Sequence, residues 1–384
     1  MFRSIVISVA ALAGLAAACT PAPPAEPADP PADAVQHALD RLVAEDGYPG
    51  ALAAVRGADG ETRDYTAGVG DLRTGAEMPV NGRVRLASNT KTFTATVVLQ
   101  LVGEGRVDLD APVETYLPGV VRGQGVDGRR ITVRQLLSHT SGLVDYDDKL
   151  VVDYLEIRHR HYEPRELLDV VLAEPALFPP GARFSYSNAN YVLAGLIVQR
   201  VTGRPVGEEI TERIIEPLGL RDTYWPELGD QTIHGPHPHG YLPTGDGGLA
   251  AGEGAGPVDV TVQDTSLAWA AGALIGTPRD LNTFLTALLD GELLRPAELK
   301  EMRTTVPAPD FHLTAGGTYG LGLGTFPLSC GASAWTHGGD APGYVSRTGV
   351  TDDGRAATVV VTGSPTSLPA AERVERALDT ALCG

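Results

Sequence analysis

Lysine, cysteine and basic charge are all scarce in this chain of 384 residues. Its lysines are Lys91, Lys149 and Lys300, and 30 basic residues stand against 48 acidic ones, which gives a net charge of −18. A chain with this charge repels phosphate backbones, so we exclude nucleic acid as a partner that binds through a basic face. Hydrophobic residues make up 43% of the chain, a composition typical of packed globular proteins.

Several catalytic and metal-binding motifs are absent. The chain has no H-E-x-x-H, no G-x-S-x-G and no P-loop, which excludes a zinc protease, an α/β-hydrolase and an NTP-dependent enzyme of the usual kinds. His234, His237 and His239 fall in a Gly/Pro-rich loop without an obvious acidic or cysteine ligand beside them. We therefore predict no metal site and no cofactor.

The N-terminus has the pattern of an export signal. Arg3 precedes an apolar stretch at residues 5–18, which is too short for a permanent membrane-spanning helix, and Cys19 follows it. The segment resembles a bacterial lipoprotein signal, which implies a lipid on Cys19; the alternative is ordinary signal cleavage that leaves a spare thiol. We predict a signal peptide at 1–18, a Pro/Ala-rich tether at 19–34, and a protein lipid-anchored at the outer face of the membrane or secreted.

Two further cysteines lie late in the chain. If Cys19 is lipidated, Cys330 and Cys383 remain as a pair, and an oxidising compartment would let them form a disulfide. Such a bond would tie a late strand to the C-terminal helix. The alternative is two buried free thiols.

Hydrophobic periodicity divides residues 35–384 into a sheet part and a helical part. Alternating patterns predict strands at 50–56, 63–69, 318–323, 343–350 and 356–362. Helical patterns lie at 86–102, 133–138, 164–173, 191–201, 278–290 and the C-terminus, and 226–259 is predicted to be a long loop. Since the strands of about 35–87 and 266–384 flank a mostly helical segment of about 88–265, we predict an α+β fold. It consists of an antiparallel sheet flanked by helices, with a mostly helical inserted subdomain.

The strongest chemical motif is the S-x-x-K tetrad of Ser88 and Lys91 at the predicted start of a helix. A separation of three residues puts both side chains on one helical face. A serine hydroxyl becomes a nucleophile when a neighbour takes its proton, and a lysine can do so once burial lowers its pKa. The helix N-terminus also favours a developing oxyanion. The alternative is a solvated helix lysine beside an N-capping serine.

Two weaker motifs follow later in the chain. Tyr186 and Asn188 lie in a turn before an apolar helix, where a tyrosine can shuttle a proton and an amide can hold a substrate carbonyl. His337 is followed by Gly338, Gly339 and Asp340 on a predicted strand, and the small residues would let a substrate backbone lie against it.

Together the three motifs resemble those of serine D-alanyl-D-alanine carboxypeptidases and class C β-lactamases. The resemblance covers residues 36–384 and includes 136–143, 319–323 and 328–331. It implies a β-lactamase/transpeptidase-like fold, a disulfide between Cys330 and Cys383, and hydrolysis through an acyl-enzyme without a cofactor. The implied roles are Ser88 as the nucleophile, Lys91 and Tyr186 as its proton carriers, Asn188 as a contact of the substrate amide, His337 as electrostatic support for Tyr186, and the backbone N–H of Asp340 as an oxyanion donor.

The match departs from the carboxypeptidases where they grip the terminal carboxylate of the substrate. They carry hydroxyl residues beside and after the histidine and an arginine nearby, and the corresponding places here are Gly338, Asp340 and Gly324. An aspartate there would repel a carboxylate unless it turns away. His-Gly-Gly is the form associated with esterase-like members.

Three functions are therefore compatible with the sequence. The first is a penicillin-binding carboxypeptidase acting on a peptidoglycan stem peptide. The second is an esterase, amidase or β-lactamase that uses the same serine on a small ester, amide or β-lactam. The third is a catalytically silent envelope lipoprotein, which the intact set of Ser88, Lys91 and Tyr186 disfavours.

Overall fold

A computed structural model describes residues 32–151, 154–244 and 256–384, so the predicted signal peptide and most of the predicted tether lie outside the described residues. The described strands are β1 (Gly50–Arg56), β2 (Thr62–Asp71), β3 (Ala76–Glu77), β4 (Val84–Arg85), β5 (Tyr241–Leu242), β6 (Val258–Asp259), β7 (Ile275–Gly276), β8 (Val306–Pro307), β9 (Thr318–Tyr319), β10 (Gly324–Pro327), β11 (Ser333–Ala341), β12 (Tyr344–Thr351) and β13 (Ala356–Val361).

The described α-helices are α1 (Ala32–Ala44), α2 (Thr90–Gly103), α3 (Val113–Tyr116), α4 (Val133–Leu137), α5 (Asp147–Leu150), α6 (Tyr154–Ile157), α7 (Pro164–Leu172), α8 (Asn188–Thr202), α9 (Val206–Ile210), α10 (Glu216–Leu218), α11 (Pro278–Leu289), α12 (Pro296–Met302) and α13 (Leu368–Cys383). Short 3₁₀ turns lie at Ala87–Asn89 and Trp269–Ala271, and a π-helical turn lies at Thr211–Ile215. Within the described part of the chain, no helix is long and apolar enough to cross a membrane.

Strands from both ends of the chain form one antiparallel sheet. Its order is β3-β2-β1-β13-β12-β11-β10-β9-β8, so the first long strand pairs with the last one. The helices from α2 to α10 lie in sequence between β4 and the late strands. The predicted α+β architecture, an antiparallel sheet with a mostly helical insert, is therefore confirmed.

Both faces of the central sheet are buried, because successive residues of its strands pack into two different hydrophobic clusters. Val359 and Val361 of β13 pack with α1 and α13, whereas Val360 joins Phe284 of α11 and Phe93 of α2 in the larger cluster. This alternation follows from the period of two along a strand. Helix α2, which is buried along almost its whole length, thus stands between the sheet and the helical part.

Local differences from the predicted elements occur at loops and glycines. The predicted strand 318–323 ends at Tyr319, because Gly322 takes a positive φ of 80° that a strand does not accommodate. The predicted loop 226–259 contains the paired strands β5 and β6 near its C-terminal end, and residues 245–255 lie outside the described residues. Helix α1 begins at Ala32, so its first turn includes the end of the predicted tether.

Cys330 and Cys383 form the predicted disulfide, with a Cα–Cα distance of 5.6 Å across a sequence separation of 53 residues. Replacing both cysteines by serine should lower the free energy of unfolding by about 4 kcal/mol, because the unfolded chain regains the freedom of a long loop. Urea unfolding of the oxidised wild type and the double variant would measure the difference. Equal unfolding midpoints would show that the bond does not stabilise the fold.

Candidate active site

The turn that carries Ser88 is held between the sheet and helix α2. Ala87 takes a positive φ of 46°, so Ser88 lies in a 3₁₀ turn and α2 begins two residues later, not at Leu86 as predicted. A left-handed residue is costly for alanine and persists where its surroundings fix it. The side chain of Asn89 does so, since its Nδ2 donates to the carbonyl of Leu86 and to Ser346 Oγ, both at 2.8 Å.

Lys91 lies one turn further along α2 and contacts three oxygen atoms. Its Nζ is 3.0 Å from Ser88 Oγ, 2.6 Å from Asn188 Oδ1 and 2.8 Å from the carbonyl oxygen of Ala271. The amide and carbonyl oxygens can only accept hydrogen bonds. A neutral Lys91 therefore donates its two protons to them and turns its lone pair toward Ser88.

The surroundings of Lys91 favour its neutral form. The side chain is fully buried, and this burial lowers its pKa from 10.5 to about 7, although the charges of Asp145 and Asp147 act in the opposite direction. An amine with this pKa is largely unprotonated in mildly alkaline solution, whereas an ordinary lysine is not. The structure therefore supplies a base within hydrogen-bond distance of the predicted nucleophile.

Asn188, at the start of α8, is oriented by two carboxylates. Its Nδ2 donates to Asp145 Oδ2 at 3.1 Å and to Asp147 Oδ2 at 2.8 Å, which fixes Oδ1 toward Lys91. Both polar ends of the amide are thus occupied by the protein. In the structure Asn188 positions the base, and its predicted contact with a substrate amide stays a prediction.

Tyr186 lies on the other side of the nucleophile. Its hydroxyl interacts with that of Ser88, and burial raises the pKa of the phenol well above its usual range. The ring stacks on His139 with centroids 4.3 Å apart, and Lys91 Nζ lies 4.9 Å from the Tyr186 centroid. Burial lowers the pKa of His139 well below its usual range, so this histidine is a neutral platform for the tyrosine ring.

His337 lies on β11, and both of its ring nitrogens are bonded to groups other than Tyr186. Its Nδ1 lies 2.7 Å from the carbonyl oxygen of Gly338, which requires a proton on Nδ1, so Nε2 accepts from the Tyr319 hydroxyl at 3.0 Å. Burial lowers the pKa of His337 to about 3, and its ring centroid is 6.4 Å from that of Tyr186. His337 thus fixes the hydroxyl of Tyr319, and its predicted electrostatic support of Tyr186 stays a prediction.

The glycines of β11 have different surroundings. A Cβ on Gly339 would lie 2.2 Å from the carbonyl oxygen of Leu86, so this glycine lets the strand approach the Ser88 turn. Its predicted contact with a substrate backbone stays a prediction. A Cβ on Gly338 would lie 3.2 Å from Arg347 Nη1. Asp340 turns toward the same arginine, with Oδ1 2.8 Å from Nη1. The predicted role of its backbone N–H as an oxyanion donor stays a prediction.

A cleft of about 490 Å³ brings these groups together. Ser88 and Asn188 line it beside Asp147 on the helical side, and Asp340 and Arg347 line it on the sheet side. A half-buried serine with a neutral amine and a phenol at its hydroxyl can transfer an acyl group from an ester or amide to itself and then to water.

The histidines of the Gly/Pro-rich loop pair with carboxylates or stack on one another. His234 pairs with Asp230 at 2.7 Å, and His239 pairs with Asp259 at 2.6 Å while stacking on His237. Across the ranges that the structure describes, no group of three or more His, Cys, Asp or Glu side chains is placed to hold a metal ion.

Four residues of the site were not identified from the sequence: Asp145, Asp147, Tyr319 and Arg347. The two aspartates lie in a short acidic segment that follows the Leu136–Leu143 run, and Tyr319 begins the run at 319–323. Arg347 lies on the strand that follows the His-Gly-Gly motif, directly across from Gly338. The register of the hairpin formed by β11 and β12 would have placed Arg347 beside Gly338, because residues directly opposite each other on paired strands lie on the same face of the sheet.

Turnover of an uncharged ester should rise with pH. Below a pKa of about 7 Lys91 is a cation without a lone pair, and above it the neutral base predominates. We therefore expect kcat/KM for p-nitrophenyl acetate to increase with pH through the neutral range and then to level off. A profile of initial rates would check this, and rates that stay flat or fall across the neutral range would contradict Lys91 as the base.

Comparison with known proteins places the whole folded part in one family. The model of the family described as Beta-lactamase matches residues 35–382. Esterase EstB of Burkholderia gladioli is 36% identical over 166 residues, 40% of this chain and 41% of that protein. Penicillin-binding protein 4 of Amycolatopsis lactamdurans is 31% identical over 196 residues, 49% of this chain and 48% of that protein. The matched parts thus span less than half the length of these two curated relatives.

Solved structures match over more of the chain. A D-stereospecific amidohydrolase from a Streptomyces species has a TM-score of 0.80 and 42% identity, over 91% of this chain and 98% of that one. The D-amino acid amidase of Ochrobactrum anthropi has a TM-score of 0.78 and 30% identity, over 91% of this chain and 97% of its own.

Proposed function

This chain belongs to the Beta-lactamase family and is a serine hydrolase of that superfamily, and we propose that it hydrolyses small amides whose acyl part carries a free ammonium group, above all D-amino acid amides. The proposed reaction passes through an ester of Ser88. The observation that carries it is the pair of carboxylates, Asp145 and Asp147, beside the Lys91–Asn188 contact.

In the proposed mechanism Lys91 takes the proton of Ser88 while Oγ bonds to the substrate carbonyl carbon. The backbone N–H groups of Ser88 and Asp340 would stabilise the oxyanion. When the intermediate collapses, the leaving ammonia receives a proton from the Tyr186 hydroxyl, and Tyr186 recovers one from Lys91. Water then attacks the ester, gives its proton back through the same groups and releases the acid from Ser88.

Asp147 is the proposed partner of the substrate ammonium. Burial, and then the charge of Asp145, raise the pKa of Asp147, and burial also raises the pKa of Asp145. Two crowded carboxylates with raised pKa values favour the arrival of a cation, because it stabilises both in the ionised form. Asp147 lines the cleft, so an ammonium on the carbon next to the scissile carbonyl could reach it from Ser88.

Similarity supports the D configuration of the substrate. The two solved structures described above, from Streptomyces and Ochrobactrum anthropi, are those of a D-stereospecific amidohydrolase and a D-amino acid amidase. Both cover nearly all of the folded part of this chain, and the first is 42% identical to it. We therefore expect D-phenylalanine amide to be hydrolysed faster than its L enantiomer.

Asp147→Asn should lower kcat/KM for D-phenylalanine amide by about tenfold or more, mostly through KM, since a bond to a charged group is lost. Turnover of p-nitrophenyl acetate, which has no ammonium, should change much less. The matched control is Asp148→Asn, which removes the same charge from the exposed neighbouring residue and should alter neither activity appreciably. An equal loss on both substrates would assign Asp147 to holding Asn188 and would contradict an ammonium site.

Carboxypeptidase activity is a second candidate, because the guanidinium of Arg347 lines the cleft, although Asp340 is paired with it. A terminal carboxylate on the leaving group needs such a partner. Intact mass over time with benzylpenicillin would separate the related activities. A lasting adduct on Ser88 would favour a penicillin-binding carboxypeptidase, and a transient adduct with penicillin consumed would favour a β-lactamase.

We also propose that the protein is exported, as the pattern of residues 1–18 suggests, and that a lipid on Cys19 holds it at the membrane. The pairing of Cys330 with Cys383 supports an oxidising compartment. The mass of the mature N-terminal peptide would test both points.

A further inference from the structure

We propose that Asp340 is an internal carboxylate that occupies Arg347 and thereby excludes substrates whose leaving group ends in a carboxylate. The proposal rests on the proposed function, since it concerns the leaving-group side of the same cleft. It makes the Asp340–Arg347 pair the determinant that directs the enzyme toward neutral leaving groups, such as ammonia or an amino acid amide.

The position of Arg347 is fixed by the sheet. It lies on β12 directly across from Gly338 of β11, and its Nη1 lies close to where a Gly338 side chain would begin. The side chain of Arg347 is 12% exposed, yet it lines the cleft that contains Ser88. The guanidinium is therefore a largely desolvated cation at the wall of the cleft, where an anion binds more strongly than in water.

Two protein carboxylates approach this cation in different ways. Glu375 of α13 lies 3.8 Å from Arg347 Nε, and it also accepts the backbone N–H groups of Leu313 and Thr314, so it is fixed in place. Asp340 is 2.8 Å from Nη1, but its side chain is 63% exposed. Both carboxylates line the cleft, and Asp340 is the exposed one, since the side chain of Glu375 is 7% exposed.

The charge balance then decides which substrates fit. Arg347 with Asp340 and Glu375 carries a net charge of −1, so a substrate carboxylate entering there meets excess negative charge and an arginine that is already paired. A neutral leaving group, such as ammonia or an amino acid amide, meets no such repulsion. Removing the charge of Asp340 frees the cleft-facing side of the guanidinium for a substrate carboxylate.

The test uses two substrates that differ at one group, D-alanylglycinamide and D-alanylglycine. In Asp340→Asn the ratio of kcat/KM for the acid to kcat/KM for the amide should rise by about ten- to a hundredfold over the wild type, which is the range of a hydrogen bond to a charged group. Asp340→Gly should act in the same way. The double variant Asp340→Asn/Arg347→Gln should lose the gain.

Asp310→Asn is the matched control, because Asp310 is an exposed carboxylate on the same cleft. If the acid gains equally in this variant, the effect is one of general charge and the proposal is overturned. It is also overturned if the ratio in Asp340→Asn stays at the wild-type value.

Binding to catalytically silent proteins separates this proposal from the proposed function. In a Ser88→Ala background, Asp340→Asn should strengthen the binding of D-alanylglycine by about tenfold or more, as measured by calorimetry. The affinity for D-alanylglycinamide should stay unchanged. No gain for the acid overturns the role of Asp340 even if the wild type proves to be an amidase. A gain without turnover of either substrate by the wild type supports the role of Asp340 and refutes the amidase.

Discussion

Ser88→Ala is expected to lower kcat for every ester and amide substrate by about 10³-fold or more, since the covalent route is lost and oxyanion stabilisation alone remains. Its hydroxyl meets the Lys91 amine at 3.0 Å and the Tyr186 phenol, and both contacts serve the reaction. The folded state should be unaffected, because Ser88 is half-buried and the Asn89 side chain holds the turn. Initial rates together with thermal unfolding would measure both effects.

Ser364→Ala provides the matched control, because Ser364 lines the same cleft and has no contact with Lys91 among those described. Its activity should stay near that of the wild type. Substantial residual turnover by Ser88→Ala, with the same dependence on pH, would place the nucleophile elsewhere.

Lys91→Arg is expected to be nearly as damaging, with a loss of about 10³-fold in kcat/KM, because a guanidinium keeps its proton at any workable pH. The site is also fully buried and accommodates an amine that is neutral above a pKa of about 7. The rise of activity through the neutral pH range should disappear together with the rate. Lys91→Met, which has a similar length and no charge, keeps the test valid if the arginine does not fit.

Lys149→Arg is the control for this substitution, since Lys149 is exposed and pairs with Glu174. It should retain full activity. If Lys91→Arg folds and retains the wild-type rate and pH profile, another group must take the proton of Ser88.

The parts of the fold and site that could be predicted from the sequence depend on interactions between residues close together in the chain. Val359 to Val361 and the apolar residues of α13 show their periodicity directly, so the sheet and its covering helix were predictable. The spacing of Ser88 and Lys91 fixes their contact once the segment is helical. Even here the helix begins later than predicted, because the left-handed backbone of Ala87 depends on tertiary packing.

The parts that were missed depend on contacts between distant segments. Asp147 becomes part of the site when the first turn of α5 packs against Asn188, which lies 41 residues away. Asp340 was predicted to repel a substrate carboxylate unless it turns away, and its pairing with Arg347 could not be predicted without the register of β11 and β12. The contact of His337 with Tyr319 was not predicted, because a His-Gly-Gly motif does not show which residues pack against the histidine.

The central claim, that Ser88 carries the acyl group, is tested most directly by intact mass after acid quench during turnover of D-phenylalanine p-nitrophenyl ester. We predict a D-phenylalanyl adduct that maps to the peptide containing Ser88, decays when the ester is consumed, and is absent from Ser88→Ala. A protein that turns over the ester without an adduct, or an adduct that persists in Ser88→Ala, would contradict the account.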